Sequence, residues 1–138
     1  MTTIVVGFLD IETARLAAKE AARMASALGG QLHIVTALED PNIEVIEAGG
    51  EEFVVDDYRT AEQAVQRFVG ELDEQLSVSV TVRKAKPADL LLEEAERLEA
   101  DMIVVGNVRM QGPGRILGSV GSKIVHNAPC NVLIVKTT

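Results

Sequence analysis

The stretch Asp101 to Lys136, DMIVVGNVRMQGPGRILGSVGSKIVHNAPCNVLIVK, constrains this chain most, because it reads without a gap as strand, glycine-rich loop, helix and strand. Met102 to Val105 is a short apolar run of the kind buried on both faces of a parallel sheet, and Gly106 ends it where the backbone must turn. Gly112, Gly114 and Gly118 keep the following loop free of Cβ atoms. Ser119 stands at the expected helix N-cap, so its hydroxyl and the N–H groups of Val120, Gly121 and Ser122 would converge on a bound phosphate, helped by the helix dipole.

The rest of the chain alternates β-type runs with helical patterns, as right-handed βαβ units do. Strands are expected at Ile4 to Phe8, Leu32 to Leu38, Val78 to Val82, Met102 to Val105 and Asn131 to Lys136. A helix from about Glu12 to Leu28 carries Leu16, Ala17, Ala21, Met24 and Leu28 on one stripe, and Gly29 and Gly30 stop it. A second runs from about Tyr58 to Leu76 with Ala61, Ala64, Val65, Phe68 and Leu72 on one face, and Pro87 opens a third. The fold class is therefore α/β, a five-stranded parallel sheet with helices on both faces. Residues 39–57 fit neither period and carry eight acidic side chains, which reads as a long acidic loop able to cover a site at the carboxyl edge of the sheet.

Composition narrows the function. With 138 residues, 47% of them hydrophobic, one domain spanning residues 1–138 is expected. A net charge of −8 excludes nucleic acid and anionic membrane as partners, since both need a basic surface. No apolar run approaches the roughly 20 residues that span a bilayer. The N-terminus has no basic region before an apolar core, and the one cysteine, Cys130, forms no internal disulfide, so a cytoplasmic location is expected.

Other motifs carry less. Gly112, Gly114 and Gly118 miss the dinucleotide-binding spacing by one residue and follow the fourth strand, not the first. His126, Asn127 and Cys130 lie close together, but nothing nearby activates a thiolate, and Cys130 reads as a core residue. His33, inside the second strand, reads as a structural histidine, and no metal-ligand set is proposed. The apolar run Val132 to Val135 would form a sheet edge that pairing with a second copy would satisfy, so a homodimer through the last strand is expected.

Three segments carry a resemblance to a known family. TIVVGFLDIETARLAAKEAARMASALGGQLHIV, KPADLLLEEAERLEADMIVVGN and GRILGSVGSKIVHNAPCNVLIVK resemble the corresponding parts of universal stress proteins along essentially the whole length. The resemblance implies strand order 3-2-1-4-5, a Rossmann-like fold related to the adenine nucleotide alpha hydrolases, and, in one branch, an adenine nucleotide at the carboxyl edge of the sheet. That branch uses a motif of Gly, two residues, Gly, nine residues, Gly and Ser or Thr.

Gly106 matches the first glycine, and Gly118 with Ser119 matches the end. Arg109 stands where the second glycine belongs, and only the eight residues Met110 to Leu117 separate it from Gly118. The family's small-Asp-Gly-Ser after the first strand is replaced by Gly7-Phe8-Leu9-Asp10-Ile11-Glu12. By this resemblance Val105, Gly106, Gly118, Ser119 and Val120 hold phosphate and ribose, Asp10 approaches the adenosine half, and the backbone at Ala37 reads the adenine edge. Arg109, with Arg115 as a second candidate, either supplies a phosphate-binding fork or fills the pocket and pairs with Asp10 or the acidic loop. The ligand is ATP, AMP or cyclic AMP, with Mg²⁺ only beside a polyphosphate, in a dimeric stress-response or signalling protein that is not an enzyme. The alternative is a member that binds no nucleotide and works as a dimeric interaction module.

Overall fold

A computed structural model of the chain describes residues 1–107 and 118–137. In chain order the elements are β1 (Thr3–Gly7), α1 (Glu12–Ala27), β2 (Gln31–Leu38), β3 (Ile43–Ala48), β4 (Glu51–Asp56), α2 (Asp57–Val69), β5 (Ser77–Lys84), α3 (Pro87–Arg97), β6 (Met102–Gly106), α4 (Ser119–Asn127) and β7 (Asn131–Val135). Five of the strands form one sheet in the order β5-β2-β1-β6-β7. Every pairing in it is parallel. Counting only the strands of this sheet, the order is 3-2-1-4-5, as the resemblance implies.

The sheet is covered on both faces because its central strand carries consecutive apolar side chains at Ile4, Val5 and Val6. Ile4, Val5 and Val6 are fully buried, and alternate residues point to opposite layers. Ile4 and Val6 join Ala18, Ala21, Ala25, Val65 and Phe68 under α1 and α2. Val5 joins Leu90, Leu91, Ala95 and Ile124 under α3 and α4. The alanine stripe of α1 lets that helix lie close to the sheet, and the rings of Phe8 and Phe68 meet at 4.8 Å. The second helix ends at Val69, earlier than its periodicity suggests, yet Leu72 and Leu76 still pack on the first core layer.

Helix α1 stops at a Schellman motif: Gly30 N–H donates to the Ala25 carbonyl at 2.8 Å and Gly29, at φ +62°, donates to Ser26. Gly30 is required for a different reason, since a Cβ there would lie 2.3 Å from the Thr2 carbonyl oxygen. Helix α3 ends in the same way, but Glu99 takes the left-handed position at φ +50°.

Residues 39–57 correct the expectation of an irregular acidic loop. They contain an antiparallel hairpin in which Ala48 pairs with Glu51 across Gly49 and Gly50. Both glycines have positive φ, +61° and +80°, which a two-residue turn of this twist requires. The hairpin escaped detection because Ile43, Val45 and Ile46 are not alternate residues, so its apolar side chains fall on both faces and no period of two emerges.

Candidate functional site

Helices in a parallel sheet of this kind run back against the strands, so their N-termini collect at the carboxyl edge. The sheet order reverses between β1 and β6, and there a cleft of about 260 Å³ opens. Gly7 and Gly106, the last residues of β1 and β6, lie at its base with Val35 and Ala37 of β2. Thr13, Ala14 and Ala17 of α1, Pro87 and Leu91 of α3, and Val120 and Gly121 of α4 form its walls. Leu9 and Ile11, about half exposed, stand at the rim.

The glycines leave space there; they do not serve backbone strain. Gly118 has φ −63°, and Gly106 is not among the positive-φ glycines. A Cβ at Gly106 would touch Thr137 Cγ2 at 3.4 Å and Ala17 at 3.7 Å, and one at Gly7 would touch Leu91 at 3.6 Å, all ordinary contacts. Any larger side chain would grow into the cleft.

The three helix N-termini that border the cleft share a further property. Ile11, Lys86 and Gly118 occupy the N-cap positions of α1, α3 and α4, and none supplies a side-chain cap. Helix α2, which begins beside the hairpin, is by contrast capped by Asp56, whose carboxylate accepts from Tyr58 N–H at 3.0 Å and Arg59 N–H at 3.3 Å. Helix α4 starts one residue earlier than expected. Ser122 N–H already donates to Gly118 O at 2.8 Å, so the first-turn N–H groups without a helical partner are those of Ser119, Val120 and Gly121. Ser119 is therefore the first helical residue, not the cap, because the extended backbone falls at Gly118.

Of the residues expected in a site, Ala37, Val105, Gly106, Gly118 and Val120 come together on the cleft lining. Ser119 begins α4 beside it without lining it. Asp10 does not line it either; its carboxylate lies 3.4 Å from Arg15 and 3.7 Å from Arg67, toward α2. Arg109 and Arg115 lie outside the described residues. Thr137 and Asn107 were missed: Thr137 donates to Asn107 Oδ1 from its N–H at 2.7 Å and its hydroxyl at 3.1 Å, which draws the chain after β7 over the end of β6. The described lining carries no formal charge, so an anion there depends on the N–H groups and dipoles of the helix ends.

A second polar cluster lies apart from the cleft. His33 and Glu94 are almost completely buried, and their geometry fixes the tautomer. Ser79 donates its hydroxyl to His33 Nδ1 at 2.6 Å, and His33 Nε2–H donates to Glu94 Oε1 at 3.1 Å. Glu94 also accepts from Arg97 at 2.6 and 3.0 Å and from Thr81 at 2.6 Å. These bonds, those from Arg97 first, hold its carboxyl down at about 2. Burial keeps the imidazole below its ordinary range and so neutral. The order serine, histidine, glutamate invites a nucleophile reading, but Arg97 and Thr81 saturate the acid and no member reaches the cleft. His33 is a structural histidine. The Cys130 thiol is pushed up, chiefly by burial and then by Asp101, and His126 Nδ1 is engaged with Ser122 O at 2.7 Å, so they form no nucleophile pair.

Fold and cleft together define a class: a doubly wound α/β domain with a ligand-sized cleft at its topological switch point. Residues 1–136 match the universal stress protein family, and the chain belongs to it. Over 70 residues it is 35% identical to a universal stress protein of Methanothermobacter thermautotrophicus, a match spanning 51% of this chain and about half, 48%, of that relative's length. The solved structure of a universal stress protein in complex with cAMP has a TM-score of 0.75 at 26% identity, covering 99% of this chain and 98% of that one. A universal stress protein from Archaeoglobus fulgidus in complex with dAMP shares the fold, with a TM-score of 0.68 at 20% identity over 99% of this chain and 98% of that one. Among the described residues, no helix is long and apolar enough to cross a membrane.

Proposed function

We propose that the cleft binds an adenine nucleotide and that the protein acts in stress response or signalling as a binding module, without a catalytic step of its own. The observation that carries this reading is the pairing of the cleft with uncapped helix N-termini: among the described residues, the first-turn N–H groups of α1 and α4 have no side-chain cap and the lining has no formal charge to offer an anion. The solved relatives in complex with cAMP and with dAMP support an adenine nucleotide as the ligand.

In this reading Gly106, Gly118, Ser119 and Val120 hold the phosphate, Val105 borders the ribose, and the backbone at Ala37 meets the base edge. The aliphatic rim of Leu9 and Ile11 takes the place of an acidic contact to the sugar, and Asp10 acts indirectly by anchoring Arg15. One phosphate matches the single α4 terminus, which favours AMP or cyclic AMP over ATP; ATP would draw on Arg109 and on Mg²⁺ to offset its charge. The protein works as a homodimer through β7, an edge strand on which Ile134 is exposed, and in a reducing cytoplasm, which suits the lone thiol of Cys130.

The test is Gly118→Leu, compared with the parent for binding of cyclic AMP and AMP and for thermal unfolding. Loss of binding with an unchanged unfolding temperature is expected. Unchanged affinity refutes the placement of the site, and absence of binding in the parent as well points to a universal stress protein that serves as a dimeric interaction module.

A further inference from the structure

The hairpin of β3 and β4 is a two-stranded ribbon that lies outside the main sheet, and an isolated ribbon of this size is marginal in water. Its apolar side chains have found no cover. Ile43, Val45, Ile46, Phe53 and Val54 are between 42% and 69% exposed, five of the twelve large hydrophobic side chains exposed among the described residues. The register distributes them over both faces, with Ile43, Val45 and Val54 on one and Ile46, Phe53 and Val55 on the other. Exposed apolar surface concentrated in this way marks a contact surface.

Charge defines what makes the contact. The ribbon carries Glu44, Glu47, Glu51, Glu52 and Asp56 and no lysine or arginine. Glu47 and Glu52 are directly opposite in the register, where like charges destabilise a strand pair. Neither takes part in an ion pair with any described residue, although Arg15, Arg23, Arg83 and Arg97 all have carboxylate partners elsewhere. A cationic side chain placed between the two glutamates would relieve that repulsion. Among the described residues neither long edge of the ribbon has a further strand, which leaves backbone donors and acceptors to pair.

We propose that the β3–β4 ribbon is a docking surface for an extended segment of a partner protein, one that alternates apolar with lysine or arginine side chains and adds to the ribbon as a third strand. Its apolar residues cover Ile46 and Phe53 on one face, and its cations sit against Glu47 and Glu52 on the other. A second copy of the ribbon is a poor occupant because it would bring the same five carboxylates face to face, and an anionic lipid or nucleic acid meets the same repulsion. This inference does not depend on the nucleotide reading of the cleft.

The experiment uses the full chain, labelled with ¹⁵N, and a fluorescent synthetic peptide that alternates lysine with valine. A second peptide has glutamate in place of each lysine. The expected result is saturable binding of the lysine peptide, with resonance shifts confined to residues 43–56 and their immediate neighbours. Affinity should fall by more than about tenfold in the exposed double variant Glu47→Lys/Glu52→Lys, and likewise in Phe53→Ser/Val54→Ser, which keeps the charge. The spectrum of the main sheet should be unchanged in both, and Gly118→Leu should bind the peptide as the parent does. Failure of the lysine peptide to bind, equal binding of the glutamate peptide, undiminished binding by the charge-reversed variant, or shifts located elsewhere would overturn the proposal. So would concentration-dependent self-association that Phe53→Ser/Val54→Ser abolishes, since the ribbon would then be a contact between copies.

Discussion

Replacing Glu94 by glutamine tests the buried cluster that ties α3 to β2 and β5. Glu94 is 2% exposed, and its carboxylate accepts from Arg97, Thr81 and His33. Those bonds hold the carboxyl at about 2 against an ordinary 4.5. A difference of that size stabilises the fold by about 3 kcal/mol at neutral pH. Because the folded value is the lower one, this stability is complete above pH 4.5 and is lost as the pH falls from there toward 2. Glutamine preserves the shape but cannot ionise, and its amide would turn a donor toward the donors of Arg97 or Thr81. Glu94→Gln should therefore unfold about 3 kcal/mol more easily at pH 7, and the difference should shrink by roughly half at pH 3. Urea unfolding of parent and variant at pH 7, 5, 4 and 3 measures it, and the other carboxyl groups, titrating alike in both proteins, cancel in the difference. A gap that stays the same from pH 7 to pH 3, or a variant as stable as the parent at pH 7, would refute the assignment of that energy to the ionised carboxylate.

Three further substitutions probe the fold and the cleft. Gly30→Ala would set a Cβ 2.3 Å from the Thr2 carbonyl oxygen and should cost roughly 1–3 kcal/mol in urea unfolding, since backbone must move. Glu99→Gly should stabilise by about 0.5–1 kcal/mol, because Glu99 holds a left-handed C-cap at φ +50° that glycine adopts without strain; a loss of stability would contradict this. Gly106→Val adds a Cβ that meets only ordinary contacts and branches into the cleft, so nucleotide affinity should fall at least about tenfold while the unfolding midpoint stays close to that of the parent.

The middle of the sheet was legible from the sequence because its inner strands are buried on both faces and so appear as continuous apolar runs, such as Ile4 to Val6 and Ile103 to Val104. The glycine ends of α1 were legible for the same kind of reason, since a left-handed Gly29 and a crowded Gly30 leave few other residues possible. Part of the cleft was also readable: Ala37, Val105, Gly106, Gly118 and Val120, named from the family resemblance, do line it. Leu91, Thr13 and Thr137 were not, because an apolar helix residue and two threonines announce nothing until the sheet edge brings them together. Asp10 was assigned from a motif position, and its ion pairs with Arg15 and Arg67 arise from α1 and α2, which no local spacing reveals. The hairpin stayed hidden because its apolar residues serve both faces, although Gly49-Gly50 between Glu47 and Glu52 was the available signal for a two-residue turn.

The cleft at the switch of the sheet is the proposed nucleotide site. Calorimetric titration of the purified, nucleotide-stripped protein with AMP, cyclic AMP and ATP, each with and without Mg²⁺, tests it most directly. The expected result is binding at micromolar concentration, tighter for the monophosphates, with Mg²⁺ mattering only for ATP. No heat and no thermal stabilisation with any of the three would contradict the central claim.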